Sequence, residues 1–435
     1  MIGLRRRSLG ISADRVRVAL ILAMAQLLNL VAMMLVARLY PPSVFGRYAT
    51  LAAVAALIGG VSALRLDVAA TTAIAGDARV LLRTAMRLNA AAGAGASVAG
   101  ILWCAVLGNL DRVRFLEMLA LGALTATVGI SGTLTYARVR DRKYGLVAWA
   151  KLLTAFAQGA LQVGLGSVSR TPAMLLAATA VGYGAAVLLL RSKRSTADGV
   201  AGARDVLRRH RGFMVASAPA SLINGLTMNL PLFFAGAFVG SAAAADLAVA
   251  LRVGALPSAL FGQALMPVLY GEIAHQLRHA PARARATYDR ALLGLLLAGG
   301  VLLTGLSFAV YLAAPKVFGP QWSGASSMLA LLTPFLISQF AVAPLSQTLS
   351  GVGRNRQQLM WDLARFSVTV AAFLPVLSGW LSWQEGIALF SIAMVVSYAA
   401  HVLLSRAALH PAPLPAAPVG TRTSAPNGRL PEPVS

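Results

Sequence analysis

Long apolar stretches alternate with short basic ones along the whole chain. A helix needs about 20 mostly apolar residues to cross a hydrocarbon core about 30 Å thick. Stretches of that kind lie at Val18–Ala37, Phe45–Leu64, Leu88–Leu107, Phe115–Ala137, Tyr144–Leu165 and Pro172–Leu190. They recur at Phe213–Val239, Leu247–Tyr270, Ala291–Leu312, Ala325–Leu349, Leu363–Leu381 and Gly386–Leu404. The pattern predicts an all-α integral membrane protein with about twelve transmembrane helices. Val18–Ala37 is longer than the apolar run of a signal peptide and leads straight into another helix, so it reads as a retained first span.

Charge placement supports the same count. With a cytoplasmic N-terminus, the inner connections receive Arg5–Arg7, Arg65, Arg79–Arg87, Arg138–Lys143, the cluster from Arg191 to Arg211, Arg278–Arg290, and Arg354, Arg356 and Arg365. The outer ones hold Arg38, Arg47, Arg112, Arg114, Arg170 and Lys316. Roughly thirty basic residues fall inside against about six outside, the bias expected of cytoplasmic loops, and it places both termini in the cytoplasm. The longest inner connection falls near the middle. The chain therefore divides into a six-helix bundle over residues 1–190, a basic connection over 191–212, and a second bundle over 213–404 with a central cavity between them. From residue 405 a Pro-rich stretch predicts a disordered cytoplasmic tail.

Composition narrows the function. The chain is 58% hydrophobic and 12% charged, about half the charge of a soluble domain. Its net charge of +24 is dispersed through loops rather than gathered on one domain, which argues against a nucleic-acid partner. One cysteine, Cys104, excludes disulfides and reads as a small buried hydrophobe. No P-loop occurs, and no cofactor, catalytic group or metal site is expected. His210, His275, His279, His401 and His410 fall at predicted cytoplasmic edges or in the tail.

Polar residues inside apolar spans are costly and face a cavity or another helix. Gln26 and Asn29 share a face of the first helix, Gln158 and Gln162 a face of the fifth. Asn224 and Asn229 bracket Thr227 on the seventh, which Pro219 and Pro231 interrupt. Arg252, inside the eighth span, is the deepest guanidinium and suits a phosphate or diphosphate. Arg38 ends the first helix, Arg65 the second, and Lys151 lies near the inner end of the fifth. No Asp or Glu is expected mid-span.

Three patches carry a resemblance: ARLYPPSVFGRYATLAA (Ala37–Ala53), LRLDVAAT (Leu64–Thr71) and the stretch FGPQWSG to LAR (Phe318–Arg365). In order and topological position they resemble bacterial polysaccharide flippases of the multidrug/oligosaccharidyl-lipid/polysaccharide exporter superfamily. Gly46 and Gly319 would serve outer turns and Pro344 would kink the tenth helix. Departures are Leu66 for the usual aromatic, Asp67 for the usual Glu, and Asp246 where the second repeat carries glycine. The resemblance implies an inner-membrane, multi-pass flippase, not an enzyme, that moves an undecaprenyl-pyrophosphate-linked oligosaccharide by alternating access. It also implies the bilayer as an environment, and a polysaccharide polymerase and export machinery as candidate partners. On that reading the cavity candidates are Arg252, Arg38, Arg65, Gln26, Asn29, Asn224 and Asn229. A cation-coupled drug exporter of the superfamily would need an embedded carboxylate. A polymerase or ligase would need a large outer loop with acid–base residues.

Overall fold

The computed structural model describes residues 13–191, 202–261, 269, 272–273, 276, 281–317, 319–346, 348–352 and 354–409. Twelve helices in it are long and apolar enough to cross a membrane. In chain order they are α1 (Ala13–Leu39), α2 (Pro42–Val61), α3 (Ala75–Val106), α4 (Arg112–Arg140), α5 (Tyr144–Gly166) and α6 (Pro172–Leu190). The second half has α7 (Ala203–Phe234), α8 (Ser241–Gly254, whose membrane span runs on past a turn at Ala255 to Phe261), α9 (Pro281–Val317), α10 (Ser323–Val342), α11 (Asn355–Leu377) and α12 (Trp383–Ala408). No strand occurs among the described residues. Among the described residues, the arginine-rich connections after α2, α4 and α10 lie at one end of the bundle, the basic face, and the short connections after the odd-numbered helices at the other, the sparse face.

The bilayer explains the outer surface. On α1, Leu20, Met24, Leu27, Val31 and Leu35 are all exposed and follow one another at helical spacing, while Ile21, Ala25, Ala32 and Val36 are buried. An apolar stripe turned outward is what lipid permits and water does not. Local chemistry sets the helix ends. Pro42 and Pro172 take first-turn positions, where a missing N–H costs nothing. The Asp111 carboxylate accepts from the Arg114 N–H at 2.7 Å. Ser382 and Glu385 form a reciprocal capping box on α12.

Some helices outrun their hydropathy signal. α3 begins at Ala75 rather than Leu88, α9 at Pro281 rather than Ala291, and α7 at Ala203 rather than Phe213, so half of the predicted connection 191–212 is helical. Beyond the bilayer these extensions are amphipathic, and hydropathy does not register them. A short helix, Leu66–Thr72, joins α2 to α3 and was not predicted. The α7 extension docks on it: Val206 is buried against a cluster that includes Leu66, Ala69 and Leu81. Asp77 binds Arg209 at 2.7 Å, with His210 3.5 Å away. Burial raises the Asp67 carboxyl above the ordinary carboxylate range, opposed by the Val68 N–H at 2.9 Å and by the charge of Arg65.

Gly46 is not in an outer turn as predicted. It lies within α2, where it lets the backbones of α2 and α8 approach: a Cβ there would sit 1.7 Å from the Ser241 carbonyl oxygen. Gly319 does occupy a turn, at φ +101°. Pro344 lies in a 3₁₀ turn, Ala343–Leu345, that closes α10. His401 is fully buried on α12 rather than at an edge. His275, His279, His410 and the tail beyond Leu409 lie outside the described residues.

Candidate functional site: a cavity between the two halves

A cavity of about 500 Å³ lies between the halves, walled by α1, α2, α4, α5 and α6 on one side and by α7 and α8 on the other. Its polar groups are interlocked. Gln158 Nε2 donates to Asn29 Oδ1 at 2.7 Å, tying α5 to α1. Gln162 Nε2 donates to Tyr48 Oη at 3.1 Å and to Thr179 Oγ1 at 3.0 Å. The Thr179 hydroxyl proton goes to the Leu175 carbonyl at 2.7 Å. The Tyr48 hydroxyl must then donate to Thr179, and its ring is fixed.

Arg252 crosses to this wall from α8. Its guanidinium carbon lies 5.3 Å from the centre of the Phe45 ring and 5.6 Å from that of Tyr48. It comes eleven residues after Ser241, about 16 Å along the helix axis, near the middle of a core about 30 Å thick. Among the described residues it is the one ionised side chain lining the cavity.

The sparse-face end of the cavity is sealed. Trp322, fully buried, donates from Nε1 to the Ala37 carbonyl at 2.8 Å and meets the Phe45 ring edge-on at 5.4 Å. Beside it, Gly46 is pressed against Ser241 and Ala245. Gly46→Ala should wedge this seal apart, because the overpacking, about 1–3 kcal/mol, is relieved by separating the halves. With Cys104→Ala and a cysteine at Ala52, an impermeant maleimide added at the sparse face should label the Gly46→Ala protein several-fold faster. Equal rates would mean that this contact does not hold the seal.

Four of the sequence-selected residues, Gln26, Asn29, Asn229 and Arg252, line the cavity. The other three are not among its lining residues. Arg38 ends α1 beyond the cavity. Arg65 forms, in the left-handed region at φ +59°, the turn before the short helix. Asn224 turns into the second bundle, where its Oδ1 accepts from Arg365 Nη2 at 2.7 Å. Lys151 is exposed on α5. Tyr48, Thr179 and Tyr183 went unselected, although Thr179 and Tyr183 stand i, i+4 on an otherwise apolar helix, which was a readable signal.

Carboxylates occur within the helices, but within about two turns of their starts rather than at mid-span. Glu117 is buried and paired with Arg47 at 2.6 Å. Asp362 is buried and paired with Arg365 at 3.1 Å. Asp246 stands against Gly324, and its Oδ1 has no partner. None of the three lines the cavity. No cluster of three or more metal-ligating side chains is present among the described residues.

With this architecture in view, comparison with known proteins gives its class. Solved structures with the same fold include an inward-facing multidrug resistance MATE family transporter of the MOP superfamily, at 16% identity and TM-score 0.58, covering 92% of this chain and 96% of that one. An outward-facing structure with the same description matches equally, at 16% identity and TM-score 0.58, over 91% and 95% of the two chains. A MOP superfamily transporter from Pyrococcus furiosus, described by the reversed polarity of its binding pocket, matches at 15% identity and TM-score 0.57 over 91% and 95%. Among curated proteins none is similar enough in sequence to count as a relative. A family model described as polysaccharide biosynthesis protein matches residues 35–327, and the chain belongs to that family. It is thus a membrane protein of polysaccharide biosynthesis with the fold of a MOP-superfamily transporter.

Proposed function

We propose that the protein is a flippase. It moves an oligosaccharide linked through a diphosphate to a long isoprenoid lipid, such as undecaprenyl, from the cytoplasmic to the periplasmic leaflet of a bacterial inner membrane. The basic face is then cytoplasmic, as the positive-inside rule requires. The observation that carries the reading is the charge of the cavity: one guanidinium at mid-membrane depth among amides and hydroxyls, with no carboxylate among the described residues of the wall. Amides and hydroxyls suit sugar hydroxyls, and a guanidinium suits a phosphoryl group. A cationic cargo would meet the wrong sign. About 500 Å³ is within the range of ligand-holding cavities, roughly 300–1,000 Å³.

The cycle follows from the seal. With Trp322 and Gly46 closing the sparse face, cargo enters from the cytoplasmic side. Its charge reaches Arg252, and the halves then part at Trp322 and close at the basic face. In a deletion strain, side-specific labelling should find the lipid-linked oligosaccharide confined to the cytoplasmic leaflet, and a plasmid copy should clear it. An intermediate that reaches the periplasmic leaflet in the deletion strain, unpolymerised, would point to an enzyme acting after translocation instead.

A further inference from the structure

A second cavity, of about 690 Å³, opens on the basic side between the end of α2 and the first half of α7. Its walls are apolar, formed by Val61 and Leu64 of α2 and its turn and by Met214, Val215 and Leu222 of α7. Arg204, Arg208 and Arg211 border the same groove, and all three are exposed. On a helix these arginines are i, i+4 and i+7 and form one row. Arg209, one position on, turns about 100° away and is held by Asp77 at 2.7 Å. Among the described residues no carboxylate pairs with the row facing the groove, which leaves it to meet something else.

Length and strain add to the charge. From Arg211 to Leu222 the helix rises about 16 Å, close to half of a hydrocarbon core about 30 Å thick. The groove below the guanidinia therefore spans one leaflet. At its α2 edge, Leu64 and Arg65 are consecutive non-glycine residues in the left-handed region, at φ +50° and +59°. Non-glycine residues rarely adopt this conformation, and such strain persists where a site needs it. The Leu64 side chain stays 43% exposed.

We propose that this groove docks the lipid end of the cargo before entry. The isoprenoid chain lies along Leu64, Val215 and Leu222, and the diphosphate is held by Arg208 and Arg211 with Arg204 beside them. The identity of the cargo rests on the flippase reading; the site does not. A phosphodiester headgroup carries a single negative charge, whereas a diphosphate carries more and can engage neighbouring guanidinia together. That difference favours the diphosphate over an ordinary anionic phospholipid.

The test uses full-length protein in nanodiscs of phosphatidylethanolamine, titrated with undecaprenyl diphosphate, with phosphatidylglycerol as competitor. Neutralising two interfacial arginines, as Arg208→Gln with Arg211→Gln, should weaken binding about thirtyfold. Leu64→Gly relieves the backbone strain while removing the wall, so it should weaken binding several-fold with unchanged thermal stability. Wild-type affinity in the double variant overturns the site. So does equal displacement by phosphatidylglycerol, which would make the groove a general anionic-lipid surface. Wild-type protein that binds the probe in this groove but moves no lipid-linked oligosaccharide overturns the flippase reading and leaves the groove standing. Full translocation by the double variant overturns the groove as an entry site and leaves the flippase standing.

Discussion

Arg252→Ala should lower translocation about a hundredfold while leaving the protein folded. The two halves of that expectation have separate causes. The guanidinium has no ion-pair partner among the described residues; it lies over the rings of Phe45 and Tyr48, facing the cavity. Such stacking is worth about 0.5–1 kcal/mol, with more only where the site is dry, so truncation costs little stability. A phosphoryl group in the cavity would instead lose charge-assisted hydrogen bonds worth about 1.5–3 kcal/mol each. Two of them make a factor of about a hundred or more. Arg252→Lys keeps the charge and loses the planar fork, so about a tenth of the activity should remain. Proteoliposomes loaded with lipid-linked oligosaccharide and probed from one side measure both. An Arg252→Ala protein that translocates at the wild-type rate would remove this residue from the mechanism.

The sequence was legible where a residue's environment followed from depth alone. A helix must be apolar for about 20 residues to cross the bilayer, so twelve spans were visible from hydropathy, and polar side chains inside them had to face something. Gln26, Asn29, Asn229 and Arg252 face one cavity for that reason. Asn224 obeyed the same rule but met a partner instead, since its rotation about α7 points it at Arg365. Depth in the membrane can be read from a sequence; azimuth and partner are tertiary properties. Arg365 shows the limit most clearly. Counted with a basic loop, it lies buried within α11, because Asp362, one turn earlier, neutralises a charge that hydropathy scores as external. The helical extensions of α3, α7 and α9 were missed for the opposite reason: they leave the bilayer, where length and polarity no longer mark a helix.

Arg365 is also where the largest loss of stability is expected. Its guanidinium packs on the Trp361 ring at 4.3 Å, donates to Asn224 Oδ1 at 2.7 Å and reaches Asp362 Oδ1 at 3.1 Å. Around it, Gln358 Nε2 reaches Asp362 Oδ2 at 3.4 Å, His401 Nε2 lies 3.2 Å from Gln358 Oε1, and the Trp361 Nε1–H is spent on the Ser397 carbonyl at 2.7 Å. The group thus joins α7, α11 and α12. Arg365→Ala would leave the Asp362 carboxylate buried with a single long contact, and breaking one partner of a buried pair costs about 3–5 kcal/mol. The variant should unfold at a clearly lower temperature in detergent. Replacing both charges, as Arg365→Met with Asp362→Leu, should recover most of the loss, since an apolar pair of similar size is often as stable as the ion pair. A double variant no more stable than Arg365→Ala would show that the bond to Asn224 and the stack on Trp361, rather than charge neutralisation, hold the three helices. Transport separates this cluster from Arg252. Neither Arg365 nor Asp362 lines the cavity, so the refolded double variant should still translocate, whereas the stably folded Arg252→Ala protein should not.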